Sequence, residues 1–347
     1  MTKPDPNEVI WRDGPAKLSI SPFASDAWLD YVSTVWFGPT GKQYQRRTLR
    51  DQIRRFEWPH YLSLTYAGKL VGSYLVDRQN LNMNGTPVLG FYRGLLTIDE
   101  TFRAQGLGAR MVDATLSWID GQAAAQAQPV MTYGCIDAEN TRSIKLLEAR
   151  GMRLLGTLSH CLIYRQFVRR SLSRHQVTDQ ISDAAREHLD SLTNGAELTF
   201  GDHSHTHWAG LTNNANIGCR FALNELCLAP MDGLSGFFVE KLVPLFPPAR
   251  RRFDPRRFRY VTITDAIFEP GMEAAWSTLI EHLLKQHECH FAVVTLNDDI
   301  ERHRLMLKSG VLGKQAMTRA SKLRIMGRGD QQALPPDITI RLAARDL

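Results

Sequence analysis

The segment with the clearest chemical potential is Arg103-x-x-Gly106-x-Gly108, followed by Arg110. It lies between an apolar, strand-like stretch and an amphipathic stretch that ends near Ile119. Glycines let neighbouring backbone N–H groups converge without obstruction from Cβ atoms. The first turn of a helix adds free amides and the positive end of its dipole. The pattern therefore predicts a receptor for a pyrophosphate, with arginines adding positive charge.

Two other phosphate-binding loops do not match this segment. A dinucleotide-binding loop would follow a strand at the start of its domain, with an acidic residue about 20 residues later. A Walker loop would require Gly-Lys-Ser or Gly-Lys-Thr after the glycines, and this chain has neither there. The loop therefore belongs to another class of phosphate-binding turn.

A second unusual run contains three histidines, His203, His205 and His207. If the run is a strand, its period of two places all three imidazoles on one face. The default interpretation is a polar strand face or an interface without metal. Of the functional alternatives we prefer contact with an acceptor substrate to a metal site, and we expect no metal.

Arginines are concentrated in two places. One cluster falls on a helix predicted over Gln43–Phe56, and the other surrounds Pro255. They comprise Arg46, Arg47, Arg50, Arg54 and Arg55, and Arg250, Arg251, Arg252, Arg256, Arg257 and Arg259. A solvated basic face is the default explanation. The alternative is a large anionic partner such as an aminoacyl-tRNA or an acyl carrier protein.

Composition places the chain among globular proteins of about two domains, since it has 347 residues, 43% of them apolar. Its five cysteines are scattered and form no CxxC pair, which favours free buried thiols in a reducing cytoplasm. No apolar run is long enough to span a membrane, and Met1 does not lead into a signal sequence. Residues 1–170 hold 21 of the 42 Lys and Arg but 15 of the 36 Asp and Glu, so the net +6 lies there and favours an anionic partner.

Hydrophobic periodicity predicts the elements that position these residues. In the first half, the order is β-α-α-β-β-β-α-β-α-β, with an antiparallel meander before a βαβ crossover. Its predicted elements are Lys17–Ile20, Ser25–Trp36, Gln43–Phe56, Tyr61–Thr65, Leu70–Val76, Val88–Ile98, Gly106–Ile119, Val130–Ile136, Thr141–Arg150 and Leu154–Phe167. A connecting helix is predicted within 168–192, and strands within 197–228.

The second half repeats part of this order. Strand Phe258–Thr264, helix Met272–Gln286, strand His290–Leu296 and helix Asp299–Ser309 follow one another. We interpret this as a diverged internal duplication. In the second copy, Glu269 would repel phosphate and Pro270 removes an N–H donor, so we expect that copy not to bind a phosphate.

The glycine loop resembles motif A of the GNAT acyltransferase superfamily, Arg/Gln-x-x-Gly-x-Gly/Ala between the fourth strand and the third helix. A second resemblance follows in Asn140-x-x-Ser143-x-x-Leu146-Leu147, which ends at Gly151. The resemblance covers roughly 17–170 and implies that acetyl-CoA or another acyl-CoA binds as co-substrate. The cofactor contacts implied are Leu96, Ile98, Arg103, Ala104, Gln105, Gly106, Leu107, Gly108, Ala109, Arg110, Asn140 and Ser143.

The chain departs from the family at the general acid. The tyrosine of the second motif falls on Leu147, which cannot donate a proton to the leaving thiolate. Tyr133, Tyr164 and His160 are the candidates to replace it, beside water. The general base is not evident either; Tyr92 and Arg93 occupy the corresponding part of the fourth strand and become candidate acceptor contacts, together with the three histidines.

The resemblance implies two tandem GNAT-like domains of the α/β (α+β) class, each a mixed, mostly antiparallel sheet flanked by helices. We assign residues 1–170 to the acyl-CoA-binding domain, 171–195 to a linker and 196–347 to a degenerate copy. The implied activity is transfer of an acyl group, most simply acetyl, from acyl-CoA to an amine of a small molecule or peptide. Alternatives are a donor carried on tRNA or a carrier protein, and an inactive CoA-binding scaffold. No membrane partner or oligomer is implied.

Overall fold

The computed structural model describes most of the first half and the central strands of the second. The described residues are 7–34, 36–37, 43–46, 49–53, 56–83, 86–126, 128–164, 177–178, 197–200, 207–211, 217–228, 245, 254, 256–268, 275–298, 303–304, 321–329 and 339–340. The helices among them are α1 (Asp26–Thr34), α2 (Leu49–Ile53), α3 (Leu107–Ala124), α4 (Thr141–Glu148) and α5 (Ala275–Gln286).

Seventeen strands in this part of the chain are hydrogen-bonded into one sheet. They are β1 (Glu8–Asp13), β2 (Ala16–Ser21), β3 (Trp36–Phe37), β4 (Gln43–Arg46), β5 (Trp58–Tyr66), β6 (Lys69–Met83), β7 (Thr86–Ile98), β8 (Val130–Asp137), β9 (Arg153–Tyr164), β10 (Val177–Thr178), β11 (Glu197–Phe200), β12 (His207–Leu211), β13 (Ile217–Leu228), β14 (Phe258–Phe268), β15 (Phe291–Asn297), β16 (Ser321–Gly329) and β17 (Thr339–Ile340).

The meander and the crossover predicted for the first half are present. Strands β1, β2, β5, β6 and β7 pair antiparallel in the order β1-β2-β5-β6-β7, and β8 then joins β7 in parallel. A parallel neighbour needs a crossover connection, and α3 supplies it. The predicted mixed α/β fold class is confirmed.

The sheet continues into the second half through a strand that sequence periodicity did not identify. Strand β16 lies between β8 and β9 and pairs antiparallel with both. The far edge of β9 pairs with β15, which is followed in parallel by β14 and then antiparallel by β13. A strand from the end of the chain therefore completes the sheet of the first half.

The predicted helix over Gln43–Phe56 is wrong in its first half. Residues 43–46 form β4, which pairs with the end of β13 through Arg46↔Leu226, and only α2 is helical. Pairing with a distant strand overrides a local helical period. Arg46 and Arg50 consequently lie on different elements, while Arg47, Arg54 and Arg55 fall outside the described residues.

Residues 8–13 precede Lys17–Ile20, the first element predicted from the sequence, and they too belong to a strand. They form β1, which makes a hairpin with β2 in the register Asp13↔Ala16. The first helix begins as predicted: the Ser25 hydroxyl accepts a hydrogen bond from the Trp28 amide at 3.1 Å, as an N-cap residue does. All five cysteines are free, and all but Cys135 are buried, as predicted.

Three apolar clusters surround the sheet. One, containing Leu62, Phe91 and Met111, packs α3 and α4 against one face of the first half. A second, containing Trp28, Tyr61 and Tyr133, lies on the opposite face under α1. The third packs α5 against the second half, with Trp276 fully buried. Each helix thus buries one apolar stripe on the sheet, which is how amphipathic helices are stabilised.

Several predictions concern residues that the structure does not describe. The connecting helix within 168–192, apart from 177–178, and most of the helix at Asp299–Ser309 fall there. The division into domains at 1–170, 171–195 and 196–347, and the duplication, stay predictions. No helix in the described ranges is long and apolar enough to cross a membrane.

Candidate functional site

The glycine loop is held in place by a tight turn at the end of β7. The Asp99 carboxylate accepts hydrogen bonds from the Thr101 amide at 3.0 Å and from its hydroxyl at 2.8 Å. These bonds hold the pKa of Asp99 below its usual value. The Arg103 guanidinium donates to the Ile98 carbonyl at 3.1 Å. The loop is thereby attached to the strand that precedes it.

Two residues of the loop have the left-handed backbone conformation. Ala104 has a φ of 65° and Gly106 a φ of 76°, which suits glycine and costs energy at an alanine. Gly106 is the residue before α3, whose first intrahelical bond runs from the Arg110 amide to the Gly106 carbonyl at 3.1 Å. The amides of residues 107–109 therefore precede the helical ladder and can bind an anion.

At Gly108, the space around the residue favours glycine, and its backbone conformation does not require it. Its backbone is ordinary, and a Cβ atom there would lie 3.7 Å from Cγ1 of Ile98, a normal contact. Any longer side chain would extend between the helix and the end of β7. The fold therefore tolerates a side chain at residue 108, but the space beside it would be filled.

That space is a cavity of about 460 Å³ between the end of β7, the loop, the first turn of α3, and α4 with the turn that follows it. Nine of the twelve predicted cofactor contacts line it: Leu96, Ile98, Arg103, Ala104, Gly106, Leu107, Gly108, Ala109 and Ser143. Of the other three, Gln105 donates to the Thr101 carbonyl and Asn140 caps α4 by accepting from the Ser143 amide. Arg110 does not line the cavity.

Three basic residues that sequence reasoning missed also line the cavity. Arg142, Lys145 and Arg150 belong to α4 or the turn after it. Arg150 is paired with Asp113 at 2.8 Å, whereas Arg142 and Lys145 are exposed. Arg142 and Lys145 are three residues apart on α4, a spacing that could have indicated a shared basic face. The residues present fit a ligand that carries several phosphates.

Beside the cavity, strands β7 and β8 stop pairing with each other. Their parallel pairing runs from Leu89↔Val130 to Tyr92↔Tyr133 and then stops, although both strands continue. Leu95 has a φ of 56°, unusual outside glycine, and the register of β7 on β6 shifts at the same place. Beyond Tyr133, β8 pairs with β16 instead. The split exposes backbone groups of β7 next to the cavity.

Tyr133, the first candidate acid, lies at the start of this split. Its side chain is fully buried, and its hydroxyl donates to Oε1 of Gln79 at 2.6 Å. Gln79 in turn donates to the buried carboxylate of Asp77 at 2.8 Å, which also accepts from the Trp58 amide. The chain of bonds fixes the orientation of the phenol.

The two candidate acceptor contacts on β7 face opposite sides of the sheet. Tyr92 lies 5.6 Å from the ring of Tyr133, on the side away from α3. Arg93 is buried on the helix side, where its guanidinium donates to Thr132, Tyr74 and Met152. Arg93 thus ties β7 to β8 and β6 where the split begins.

The remaining candidates are not brought to the split. His160 and Tyr164 lie on β9, which β16 separates from β8, and the Tyr164 ring contacts Phe291 at 5.8 Å. Burial lowers the pKa of His160 to about 4, while Asp137 opposes that effect. His207 begins β12, and His203 and His205 lie outside the described residues.

The second arginine cluster is partly neutralised. Arg257 donates to Glu225 at 2.8 Å, and Arg259 pairs with Glu288 at 3.2 Å. Arg250, Arg251 and Arg252 are outside the described residues. In the described ranges, no group of three or more His, Cys, Asp or Glu could hold a metal ion.

Neither a protein-family model nor a curated protein matches this sequence. Solved structures do match the fold. N-myristoyltransferase from Saccharomyces cerevisiae with bound myristoyl-CoA aligns over 94% of this chain and 87% of its own, with a TM-score of 0.55 and 8% identity. A putative acetyltransferase from Pyrococcus horikoshii aligns over 94% and 95%, with a TM-score of 0.50 and 10% identity.

A GCN5-related N-acetyltransferase from Sphaerobacter thermophilus aligns over 84% of this chain and 87% of its own, with a TM-score of 0.50 and 12% identity. Identities this low establish the fold alone. The glycine loop lies between a strand, β7, and a helix, α3, as the resemblance to motif A implies. The chain has the fold of the GNAT superfamily.

Proposed function

We propose that this chain is an N-acyltransferase that takes an acyl group from acyl-CoA and passes it to an amine. The observation that carries the proposal is the cavity where the glycine loop, the N-terminus of α3 and the split between β7 and β8 meet. A diphosphate and a thioester need these two features side by side. The similarity of fold to acyltransferases supports the same conclusion.

The donor would bind with its diphosphate at the amides of residues 107–109. Arg103, Arg142 and Lys145 surround that position and would offset the phosphate charge. Leu96 and Ile98 form the apolar wall that leads from there along β7 to the split. The thioester would then lie close to Tyr92 and Tyr133, where the strands cease to pair.

Acyl transfer by direct attack forms an N–C bond, breaks the C–S bond and moves one proton from the amine towards the thiolate. The amine must be neutral to attack, and unpaired backbone amides at the split could stabilise the developing oxyanion. Tyr133 can protonate the thiolate only after releasing Gln79, because its hydroxyl proton is directed to Oε1. Asp77 is held by two donors and orients this chain.

The proposal is tested by the release of free thiol from acetyl-CoA and myristoyl-CoA in the presence of a panel of amines. Wild-type protein should release thiol with at least one amine, and Gly108→Leu should not, because leucine would fill the cavity beside Ile98. Gly121→Leu is the matched control, since an added Cβ at this other glycine of α3 meets open space. Thiol release that is equal in all three proteins would refute the proposed donor site.

A further inference from the structure

The cavity beside the glycine loop carries positive charge on two separate walls. One wall is the loop and the first turn of α3, with Arg103 and the amides of residues 107–109. The other is formed by Arg142, Lys145, Leu146 and Ala149, and we call it the α4 wall. Among the described residues, no Asp or Glu lines the cavity. A ligand that spans it should therefore carry an anionic group at each wall.

The charges of the α4 wall are not neutralised by the protein itself. Arg142 and Lys145 are both exposed, and neither side chain pairs with an acidic residue within the described ranges. Arg150, which also lines the cavity, differs from them because its guanidinium donates to Asp113 at 2.8 Å. Two uncompensated cations beside a cavity attract an anion to it.

Arg142 and Lys145 are close enough to bind one anion together. They are three residues apart on α4, which places their Cβ atoms about 5 to 6 Å from each other on one face of the helix. Arg150 holds that helix against α3, since it donates to the Leu146 carbonyl at 2.8 Å as well as to Asp113. A single phosphate group can accept hydrogen bonds from both cations.

The α4 wall also has an apolar part. Leu146 and Ala149 follow Arg142 by four and seven residues, so they share its face of the helical segment, and both line the cavity. Small-molecule sites combine apolar surface with a few placed polar groups. An adenine ring can pack on Leu146 and Ala149, so the wall suits a phosphorylated nucleoside better than an inorganic polyphosphate.

We propose that Arg142 and Lys145 bind the 3′-phosphate of CoA and thereby select CoA-bound donors. The inference rests on the proposed acyl-CoA site, in which the diphosphate lies at the amides of residues 107–109. The 3′-phosphate is a monoester that carries about 1.5 to 2 negative charges at pH 7. It is attached to the ribose that joins the diphosphate to adenine. With the diphosphate at the loop and adenine on the α4 wall, this phosphate lies beside the two cations.

The proposal distinguishes between donors that carry the same thioester. A phosphopantetheine group on a carrier protein has one phosphodiester and no nucleotide, so it would leave both cations of the α4 wall without an anion. Dephospho-CoA retains the diphosphate and adenine and lacks only the 3′-phosphate. A comparison of CoA with dephospho-CoA therefore isolates the contribution of this one group.

The test is calorimetric titration with CoA and with dephospho-CoA. Wild-type protein should bind CoA about tenfold more tightly or better, because the extra phosphate gains two charge-assisted contacts. Arg142→Gln and Lys145→Gln should each reduce that ratio to about threefold, and the double variant should bring it near one. The loss should fall mainly on CoA, with the Kd of dephospho-CoA changing by less than about threefold.

Arg12→Gln is the matched control. Arg12 is an exposed arginine of β1 that does not line the cavity, so the substitution removes the same charge from another place. This variant should keep the wild-type ratio of the two dissociation constants. If Arg12→Gln lowers the ratio as much as Arg142→Gln does, the effect belongs to the net charge of the protein and the proposal is overturned.

The dependence of binding on salt gives an independent result. Arg142 and Lys145 are exposed, so added ions screen their attraction for the phosphate. The preference of wild type for CoA should therefore decrease between about 50 mM and about 500 mM NaCl. A preference that is the same at both concentrations would show that some other contact distinguishes the two ligands, and it would overturn the assignment to these cations.

The 3′-phosphate site and the donor site fail in different ways. Equal affinity of wild type for CoA and dephospho-CoA would overturn the 3′-phosphate site and leave the donor site intact. A preference for CoA that persists in the double variant would also overturn the roles of Arg142 and Lys145. If neither ligand binds, the donor site is rejected, and the 3′-phosphate site with it.

Discussion

At the scale of single residues, the orientation of Tyr133 depends on two other buried side chains. Its hydroxyl reaches Gln79, and Gln79 reaches Asp77, across β8 and β6. A phenol at the split could serve the leaving thiolate, or it could simply satisfy a buried polar pair. The sequence does not separate these roles, because Gln79 lies 54 residues away in the chain.

Replacing Tyr133 with phenylalanine should distinguish a phenol that serves the leaving thiolate from one that only satisfies a buried polar pair. If the phenol serves the reaction, kcat falls about 100-fold or more while the KM for acyl-CoA stays within about twofold. Stability also falls, by about 1 to 3 kcal/mol, because Gln79 loses a donor. Steady-state kinetics and urea unfolding measure the two effects.

Tyr74→Phe is the control for this variant. Tyr74 is also a buried tyrosine, accepting from Arg93 at 3.0 Å, but it lies on the helix side of the sheet. It should lose comparable stability and retain kcat. Equal kcat in Tyr133→Phe and wild type would assign the phenol a structural role only.

The lowered pKa of His160 predicts how the stability of the protein depends on pH. Its pKa is about 6.5 when unfolded and about 4 when folded, because burial disfavours the charged ring. Between these values the unfolded chain binds more protons, so stability falls as the pH drops from about 6.5 to 4. The loss attributable to this group is up to about 3 kcal/mol.

His160→Gln should lose less stability than wild type over that pH interval, measured by urea unfolding at pH 7, 5.5 and 4. Other titrating groups contribute equally to both proteins and cancel in the comparison. Parallel profiles for wild type and variant would contradict the assigned pKa.

At the scale of elements, β16 determines whether the first half has a complete sheet. Gly327 of β16 lies opposite Tyr133 and Arg153. A Cβ atom there would be 2.8 Å from the Thr132 carbonyl oxygen and 2.4 Å from a Leu155 methyl group. Neither backbone nor packed core can give way cheaply at such distances.

Gly327→Ala should therefore destabilise the protein by about 1 to 3 kcal/mol. Gly121→Ala, which meets open space on α3, should be neutral or stabilising by up to about 1 kcal/mol. Urea unfolding of both variants measures the difference. An unchanged unfolding midpoint in Gly327→Ala would place β16 outside the packed sheet.

The sequence predicts best those elements that local chemistry defines. The meander, α3, and α4 ending before Gly151, follow from alternation, helical periodicity and turn residues. Prediction from the sequence fails where pairing with a distant strand determines the local structure. Residues 43–46 form a strand because β13 lies beside them. Strand β16 has an alternating pattern of its own, but nothing local indicates that it enters the sheet between β8 and β9.

The candidate site likewise contains residues that the sequence could predict and residues that it could not. Motif spacing was sufficient to find the loop and nine of the residues around the cavity. Arg142, Lys145 and Arg150 were missed because their approach depends on how α4 packs. His160 and Tyr164, both proposed from residue type alone, lie on β9 beyond the intervening β16.

At the scale of the whole molecule, the two halves share one sheet. Strand β16 comes from the second half but completes the first, and β9 pairs with β15 on its other edge. Among the described strands, β9 pairs only with β15 and β16 of the second half, and β16 pairs only with β8 and β9 of the first. The molecule should therefore unfold in one cooperative transition.

Hydrogen exchange in increasing urea tests this directly. Amides of β5 and of β14 should lose protection at the same denaturant concentration, although they lie in different halves. Two separate transitions would show that the halves are independent units joined only at their edge.

The excess positive charge of residues 1–170 has a place in the structure, because Arg103, Arg142 and Lys145 all line the cavity. The central claim is that this cavity binds the diphosphate of CoA, and calorimetric titration of CoA tests it most directly. We predict saturable binding to wild type and to Gly121→Leu, and at least tenfold weaker binding, about 1.4 kcal/mol, to Gly108→Leu. No binding to wild type, or equal binding to Gly108→Leu, would contradict the account.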